Sequence, residues 1–230
     1  MRALLAVVLL LLGLAVAADR FAVGVAENKV AGQLAEKGGL HGTPTVDITG
    51  FPFLTQAAAG RYDDVRISLT ADQLGQPAGT HADIDLHGVR VPLSSVVSGS
   101  VDRVPVDRID GTATLSYALL TAKLGGDTTL LPEGDRLRIT KTVELLGQTI
   151  PLTATGTVSL EGNQLVIDVA KAAGAGVDLP GFLVSRASDL LDLRYDVPAL
   201  PFGLKLTGVA PAAHGVDITL KATDAVLSGG

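Results

Sequence analysis

The segment LRITKTVELLGQTIPLTATGTVSLEGNQLVIDV, from Leu137 to Val169, contains three runs in which apolar residues recur at alternate positions, interrupted only at Lys141 and Gly156. Their apolar members are Leu137, Ile139, Val143 and Leu145, then Ile150, Leu152, Ala154, Val158 and Leu160, then Leu165, Ile167 and Val169. This alternation is typical of strands with one buried face. Because Glu161-Gly162-Asn163 supplies a turn between the last two runs, the segment predicts a meander of long antiparallel strands.

Shorter alternations of the same kind precede this segment. Their apolar members are Val46 and Ile48, then Val65, Ile67 and Leu69, then Ala82, Ile84 and Leu86. They predict three further strands with one buried face. The apolar phase changes across His87-Gly88, which either a tight hairpin turn or a bulge would produce.

Helical spacing appears between and before the strands. Residues 19–39 carry apolar side chains every three or four positions, at Val23, Ala26, Val30 and Leu34, and end at Gly38-Gly39. Three further segments predict helices, namely Pro52–Ala59, Thr112–Leu124 and Pro180–Leu193. In the first of these, we expect proline at the first helical position and Gly60 in the left-handed closing conformation. The sequence therefore combines helices with antiparallel strands, which defines an α+β fold.

Residues 1–18, MRALLAVVLLLLGLAVAA, predict a signal peptide or an N-terminal membrane anchor. The apolar run from Ala3 to Ala18 is shorter than the roughly 20 residues that cross a bilayer comfortably, and Ala15-Val16-Ala17 offers a cleavage site. We therefore expect a protein exported to the cell envelope, in the periplasmic space or on the extracellular face. The length of 230 residues suits one core, so residues 19–230 are expected to form a single domain.

Composition excludes several classes of function. Without Arg2 and the rest of the leader, 17 basic residues face 24 acidic ones, so there is no basic surface for nucleic acid. The chain has no cysteine, which excludes disulfides, thiol chemistry, a lipoprotein anchor and cysteine-based zinc sites. It also has no tryptophan, and this argues against stacking of sugars on aromatic faces.

Candidate metal ligands occur in THADIDLH, where His81, Asp83, Asp85 and His87 share one face of a strand. Side chains two residues apart on a strand are separated by about 6.6 Å and lie in a line, whereas a tetrahedral site needs converging ligands. We therefore expect a solvated strand face and no metal. The motifs GxSxG, HExxH, GxxxxGK[ST] and GxGxxG are all missing, so the sequence predicts neither a cofactor nor an enzyme.

Three blocks carry a family resemblance. The segments GFPFLTQAAAGRYDDVRISL (50–69), LHGVRVPL (86–93) and LPFGLKLTGVAPAAHGVDITLKATDAVL (200–227) resemble the LmeA-like phospholipid-binding proteins of actinobacterial cell envelopes. The resemblance implies an exported, non-enzymatic protein with a long curved antiparallel sheet wrapped around an amphipathic helix, similar to tubular lipid-binding folds. It also implies an apolar groove or tunnel for the acyl chains of a phospholipid, contact with a membrane surface, and lipid transfer or support of glycolipid assembly.

The resemblance and the apolar pattern together give a set of expected ligand contacts. The residues expected to contact lipid are Phe51, Phe53, Leu54, Val65, Ile67, Leu69, Ile84, Leu86, Val91, Phe182, Phe202 and Leu204. We expect Phe53 and Phe202 to line the cavity and Phe51 to lie nearer its rim. Arg61 is the candidate contact of the lipid phosphate, and its alternative is a surface arginine beside Tyr62.

Two other functions remain open at this level. The same apolar stripes suit a solid core, in which case the protein is a structural or interaction protein with an acidic surface. A hydrolase of the envelope would need a pair of carboxylates or a serine that no motif identifies.

Overall fold

The computed structural model describes residues 1–92, 94–95, 103–124, 128–145, 148–162, 164–174, 177–178, 193–196 and 203–228. In these residues the helices are α1 (Arg2–Lys37), α2 (Phe53–Ala59), α3 (Ala71–Leu74) and α4 (Tyr117–Leu124). The strands are β1 (Thr45–Thr49), β2 (Arg61–Leu69), β3 (His81–Arg90), β4 (Arg103–Ser116), β5 (Thr128–Glu133), β6 (Arg136–Leu145), β7 (Gln148–Glu161), β8 (Gln164–Gly174), β9 (Val177–Asp178), β10 (Leu193–Asp196), β11 (Lys205–Pro211) and β12 (Gly215–Ser228).

The strands form two sheets. One has the order β1-β2-β3-β4-β12-β11, and the other has the order β10-β8-β7-β6-β5 with β9 beside β8. The chain divides into two compact units, residues 1–69, 83–110 and 222–230 in the first and residues 70–82 and 111–221 in the second. The predicted α+β class, with an N-terminal helix and extensive antiparallel sheet, is confirmed.

Helix α1 is longer than the sequence pattern predicts, because it joins the leader and the amphipathic segment without a break. It ends at Lys37, next to the predicted Gly38-Gly39. Val23 is buried as expected, whereas the side chains of the apolar leader are exposed. By length and composition α1 is able to cross a membrane, a property that signal sequences share.

In the first unit, β1 lies at one end of its sheet and is tied to α1. Val46 pairs with Ile67 and Ile48 pairs with Val65 in the antiparallel register of β1 and β2, and both β1 residues are buried. The backbone N–H of Ile48 donates to Glu27 Oε1 of α1 at 2.8 Å. This bond satisfies a backbone donor that an edge strand would otherwise leave without a strand partner.

The second unit contains the meander that the sequence predicts. Strands β5 to β8 pair in succession, and only Gly162-Asn163 separates the paired residues Glu161 and Gln164. One face carries a core that α4 and β12 also enter, through Leu120 and Val216. The buried members of this core are Leu120, Leu130, Leu137, Ile139, Leu152, Ala154, Leu165, Ile167 and Val216.

Strand β8 is buried more completely than alternation indicates. Val166, on the face opposite Leu165 and Ile167, is only 1% exposed. A run of consecutive apolar residues is typical of strands buried on both faces, and Leu165-Val166-Ile167 is such a run.

The phase change after Leu86 comes from an irregularity within β3, so the hairpin interpretation is wrong. Strand β3 continues from His81 to Arg90, and Gly88 has a φ of 66° inside it. Leu86 and Val89 are therefore both buried, as a bulge with a left-handed glycine allows. A Cβ at position 88 would lie 2.2 Å from Asp107 Oδ2, which gives a second reason for glycine.

The helix predicted over Thr112–Leu124 is wrong in its first part. Strand β4 extends to Ser116, and only Tyr117–Leu124 is helical. Thr114 Oγ1 donates to Asp217 Oδ1 of β12, the neighbouring strand, at 2.5 Å. Strand pairing and β-branched threonines outweigh the helical spacing here. Most of the helix predicted over Pro180–Leu193 lies outside the described residues, and its last residue begins β10.

Candidate functional site

Helix α2 lies at the centre of the GFPFLTQ block, and one of its own side chains ties it to the neighbouring strands. Pro52 is the N-cap and not the first helical residue, so the helix begins one residue later than predicted. Gly60 closes the helix with φ 64° and ψ 26°, as predicted. Gln56 Nε2 donates to the carbonyl of Thr49 at 3.3 Å, and Gln56 Oε1 accepts from the backbone N–H of Asp63 at 2.9 Å. Gln56 thus connects α2 to the end of β1 and the start of β2.

Two phenylalanines of this block have opposite environments. Phe53 is 5% exposed, and its ring lies 6.0 Å from the ring of Tyr62 between centroids. Burial raises the pKa of Tyr62 above its usual value. Phe51 is 64% exposed, and the guanidinium of Arg20 lies 5.4 Å from its ring centroid. Phe53 therefore belongs to the packed interior, while Phe51 and Arg20 form a cation–π contact at the surface.

A buried carboxylate fixes the beginning of α2. Asp19 is 2% exposed, and its Oδ1 accepts from the backbone N–H of Leu54 at 2.8 Å. Its other oxygen pairs with Arg20 at 2.6 Å. The first N–H groups of a helix lack partners within the helix, so Asp19 performs the role of a capping residue from 35 positions away in the sequence.

Replacing Asp19 with alanine is expected to loosen α2. The N–H of Leu54 loses its acceptor, so its amide hydrogen should exchange with solvent faster in Asp19→Ala than in the parent protein, with Asp19→Asn between the two. Hydrogen exchange by NMR measures this directly. Asp63→Ala is the matched control, since Asp63 is exposed and only its backbone contacts α2. Unchanged exchange at Leu54 in Asp19→Ala would show that the bond does not hold the helix.

The expected lipid contacts of the first unit differ in exposure. Val65, Leu86 and Val91 are buried, and Ile67, Leu69 and Ile84 are half-buried. Leu54 is 46% exposed. A ligand could cover the apolar surface that the half-buried and exposed residues still present to water. The buried residues already lie in the interior and have little such surface left.

The other expected contacts belong to the second unit. Leu204 is half-buried there, while Phe182 and Phe202 lie outside the described residues.

Arg61 lies in an ion-pair cluster. Arg61 Nη2 is 3.4 Å from Asp107 Oδ2, and Arg90 pairs with the other oxygen of the same carboxylate. Two guanidinium groups around one carboxylate leave one positive charge that this carboxylate does not compensate. Both arginines are more than half exposed, so the charge is accessible from solvent.

The family model for LmeA-like phospholipid-binding proteins matches residues 17–221, a range that contains α2, Arg61 and most of both sheets. The chain belongs to the LmeA-like phospholipid-binding family. No curated protein and no solved structure matches the chain.

Two residues that matter in this LmeA-like chain were not among the expected contacts. Tyr62, which packs on Phe53, is part of the AGRYD stretch that carries the family resemblance, so a signal for it was present. No signal in the sequence pointed to Asp19, because there it is only the residue that ends the apolar leader.

The four candidate metal ligands of THADIDLH have separate partners. Asp83 accepts from Ser68 Oγ at 2.6 Å, and Asp85 pairs with Arg66 at 2.7 Å, which raises the pKa of Arg66. The ring of His87 lies between the carboxylates of Asp64 and Asp110, which approach opposite nitrogens. Among the described residues, no group of three His, Cys, Asp or Glu side chains is arranged to hold a metal ion.

A polar network in the second unit includes His81. Thr114 Oγ1 donates to Asp217 Oδ1 at 2.5 Å and lies 3.1 Å from His81 Nε2. In a nucleophilic triad the histidine stands between the hydroxyl and the carboxylate and accepts the hydroxyl proton. Here the hydroxyl stands between the other two groups and donates its hydrogen bond to the carboxylate. The network therefore joins strands β3, β4 and β12 and lacks the order of groups that a triad has.

Proposed function

We propose that this protein binds a phospholipid, with the acyl chains against apolar side chains of its sheets and the phosphate near Arg61. The observation that carries the proposal is the family match over residues 17–221. We further propose that the fold has the tubular lipid-binding character of the family, with an apolar groove for the acyl chains. The protein then acts as a carrier without catalysis.

The half-buried residues of the first unit support the position of the acyl chains. Ile67, Leu69 and Ile84 retain apolar surface that a ligand would remove from water. Each buried methylene contributes about 0.8 kcal/mol, so an acyl chain gains affinity from contacts that have no directional requirement. Aliphatic side chains without fixed polar partners suit such a flexible ligand.

The pair of arginines supports the position of the phosphate. Arg61 and Arg90 share Asp107 and keep one positive charge accessible, and guanidinium groups bind phosphate through paired hydrogen bonds. A phosphate between them would take the place of part of the Asp107 contact. We propose this cluster as the headgroup contact.

Arg61→Ala is expected to weaken phospholipid binding about tenfold, the equivalent of about 1.4 kcal/mol. Titration with a fluorescent phosphatidylglycerol measures the affinity, and a fluorescent diacylglycerol, which lacks the phosphate, should bind the variant and the parent protein equally.

Arg66→Ala is the matched control for this titration. Arg66 also lies in β2, pairs with one aspartate, and has a side chain 59% exposed against 60% for Arg61. If Arg61→Ala and Arg66→Ala bound the phospholipid with equal affinity, Arg61 would not be part of the headgroup site. The proposed binding of the acyl chains would be unaffected by that result.

We propose that the apolar segment of α1 directs the chain to the cell envelope. Its composition and exposure support either a signal peptide or a retained anchor. A phospholipid carrier in that compartment would serve lipid transfer or the assembly of envelope glycolipids.

A structural or interaction protein is the second candidate, and the core of the second unit favours it. Leu137, Leu165 and Ile167 have no exposed surface, which is typical of a solid core. This alternative predicts that neither fluorescent lipid binds in a saturable manner.

A further inference from the structure

We propose that Phe21, Phe51 and Leu54 form a docking edge that inserts into the interface of a lipid bilayer. This inference rests on the proposed function for its purpose, since a phospholipid carrier must meet the membrane that supplies or receives its ligand. The location of the docking edge is inferred from the contacts between α1 and α2.

The three side chains are large, apolar and exposed. They are 76%, 64% and 46% exposed, respectively. Phe51 and Leu54 lie beside residues 19–20 of α1, and Phe21 is the next residue of that helix, at nearly the same height along its axis. Asp19 binds the backbone of Leu54, and Arg20 lies over the ring of Phe51. The start of α2 therefore lies beside residues 19–20 of α1, directly after the apolar run that ends at Ala18.

When residues 1–18 are retained as a membrane anchor, the length of the apolar run brings the bilayer surface to the level of the docking edge. Sixteen residues from Ala3 to Ala18 span about 24 Å of helix, whereas the hydrocarbon core of a bilayer is about 30 Å thick. The missing 6 Å or so corresponds to about four further residues of helix. The edge of the hydrocarbon would then reach Phe21 and the residues beside Arg20.

The charges next to the docking edge are compatible with an interface. Asp19 is buried and its carboxylate is compensated by Arg20 and a backbone N–H, so it presents little charge to lipid. Arg20 is half exposed, and a long basic side chain can extend its charged end towards the headgroups. Because the chain is acidic overall, docking should depend on apolar contact and should change little with salt.

Continuity with the apolar run favours a bilayer over a protein as the occupant. Any bilayer that holds residues 3–18 also reaches the docking edge, with no further rearrangement of the chain. Exposed apolar surface beside such a segment is typical of membrane contact.

The absence of tryptophan from the chain allows a direct test. Phe51→Trp, Leu54→Trp and, as the control, Glu36→Trp each introduce a single reporter into the full chain. Glu36 is exposed on α1 and lies about 22 Å beyond Phe21 along the helix. Each variant is reconstituted into phosphatidylcholine vesicles that contain lipids brominated near the headgroup end of the acyl chains, and circular dichroism confirms that it is folded.

We expect bromolipid to quench the reporters at positions 51 and 54 at least about twofold more strongly than the reporter at position 36, at low and at high salt. Equal quenching at all three positions would overturn the proposal. A blue shift at positions 51 and 54 without quenching would also overturn it, since protein, such as a second copy of the chain, would then cover the edge. Saturable uptake of fluorescent phospholipid by the same samples reports the proposed function separately, so the failure of one can be told from the failure of the other.

Discussion

Phe53→Ala is expected to lower the free energy of unfolding by about 3 to 5 kcal/mol. The side chain is almost fully buried and its ring packs against Tyr62, so its removal leaves a cavity and ends an aromatic contact. Urea denaturation, followed by circular dichroism, measures the change. Saturation with lipid during the measurement should reduce the loss if the ligand occupies the space that the ring vacates.

Phe51→Ala is the matched control, because the same substitution at an exposed ring should cost less than about 1 kcal/mol. Similar losses at both positions would contradict the assignment of Phe53 to the interior. Large losses at Phe53 with unchanged lipid uptake in the folded fraction would keep Phe53 in the core and remove it from the lipid site.

Leu137→Ala is expected to cost about 2 to 5 kcal/mol. Leu137 has no exposed surface and belongs to the core that β6 shares with β7, β8 and α4. Strand β6 pairs with β7 without interruption along its length, so the backbone around Leu137 has little freedom to close the cavity. Thermal and urea denaturation measure the loss.

Leu131→Ala provides the comparison on the neighbouring strand β5. Leu131 is 52% exposed, so truncating it should change stability by less than about 1 kcal/mol. If Leu137→Ala were as mild as Leu131→Ala, the face formed by β5 to β8 would not be a packed core, and the ligand would have to be sought there as well.

Local patterns predicted the parts of the fold that depend on neighbouring residues. The alternation of Leu137, Ile139, Leu152 and Ala154 predicted strands whose buried face is the one observed. Proline and glycine at the two ends of PFLTQAAA predicted α2 to within one residue, since both residues act through their own backbone angles.

Features that depend on distant partners were not accessible in this way. The extension of β4 to Ser116 rests on pairing with β12, about a hundred residues later, and helical spacing over Thr112–Ser116 gave no sign of it. The capping of α2 by Asp19 joins two segments that are unrelated in sequence. The sequence also does not distinguish Phe53, which lies in the interior, from Phe51, which lies at the surface, since the two residues have the same chemistry and flank one proline.

Lipid extraction tests most directly whether the protein holds a phospholipid. The full chain is purified from its host, washed free of loosely bound lipid, and extracted with organic solvent for mass spectrometry. We expect phospholipid at about one molecule per chain, and added fluorescent phospholipid should displace it. Extraction that yields no phospholipid, together with no saturable uptake of the fluorescent one, would contradict the proposed phospholipid binding.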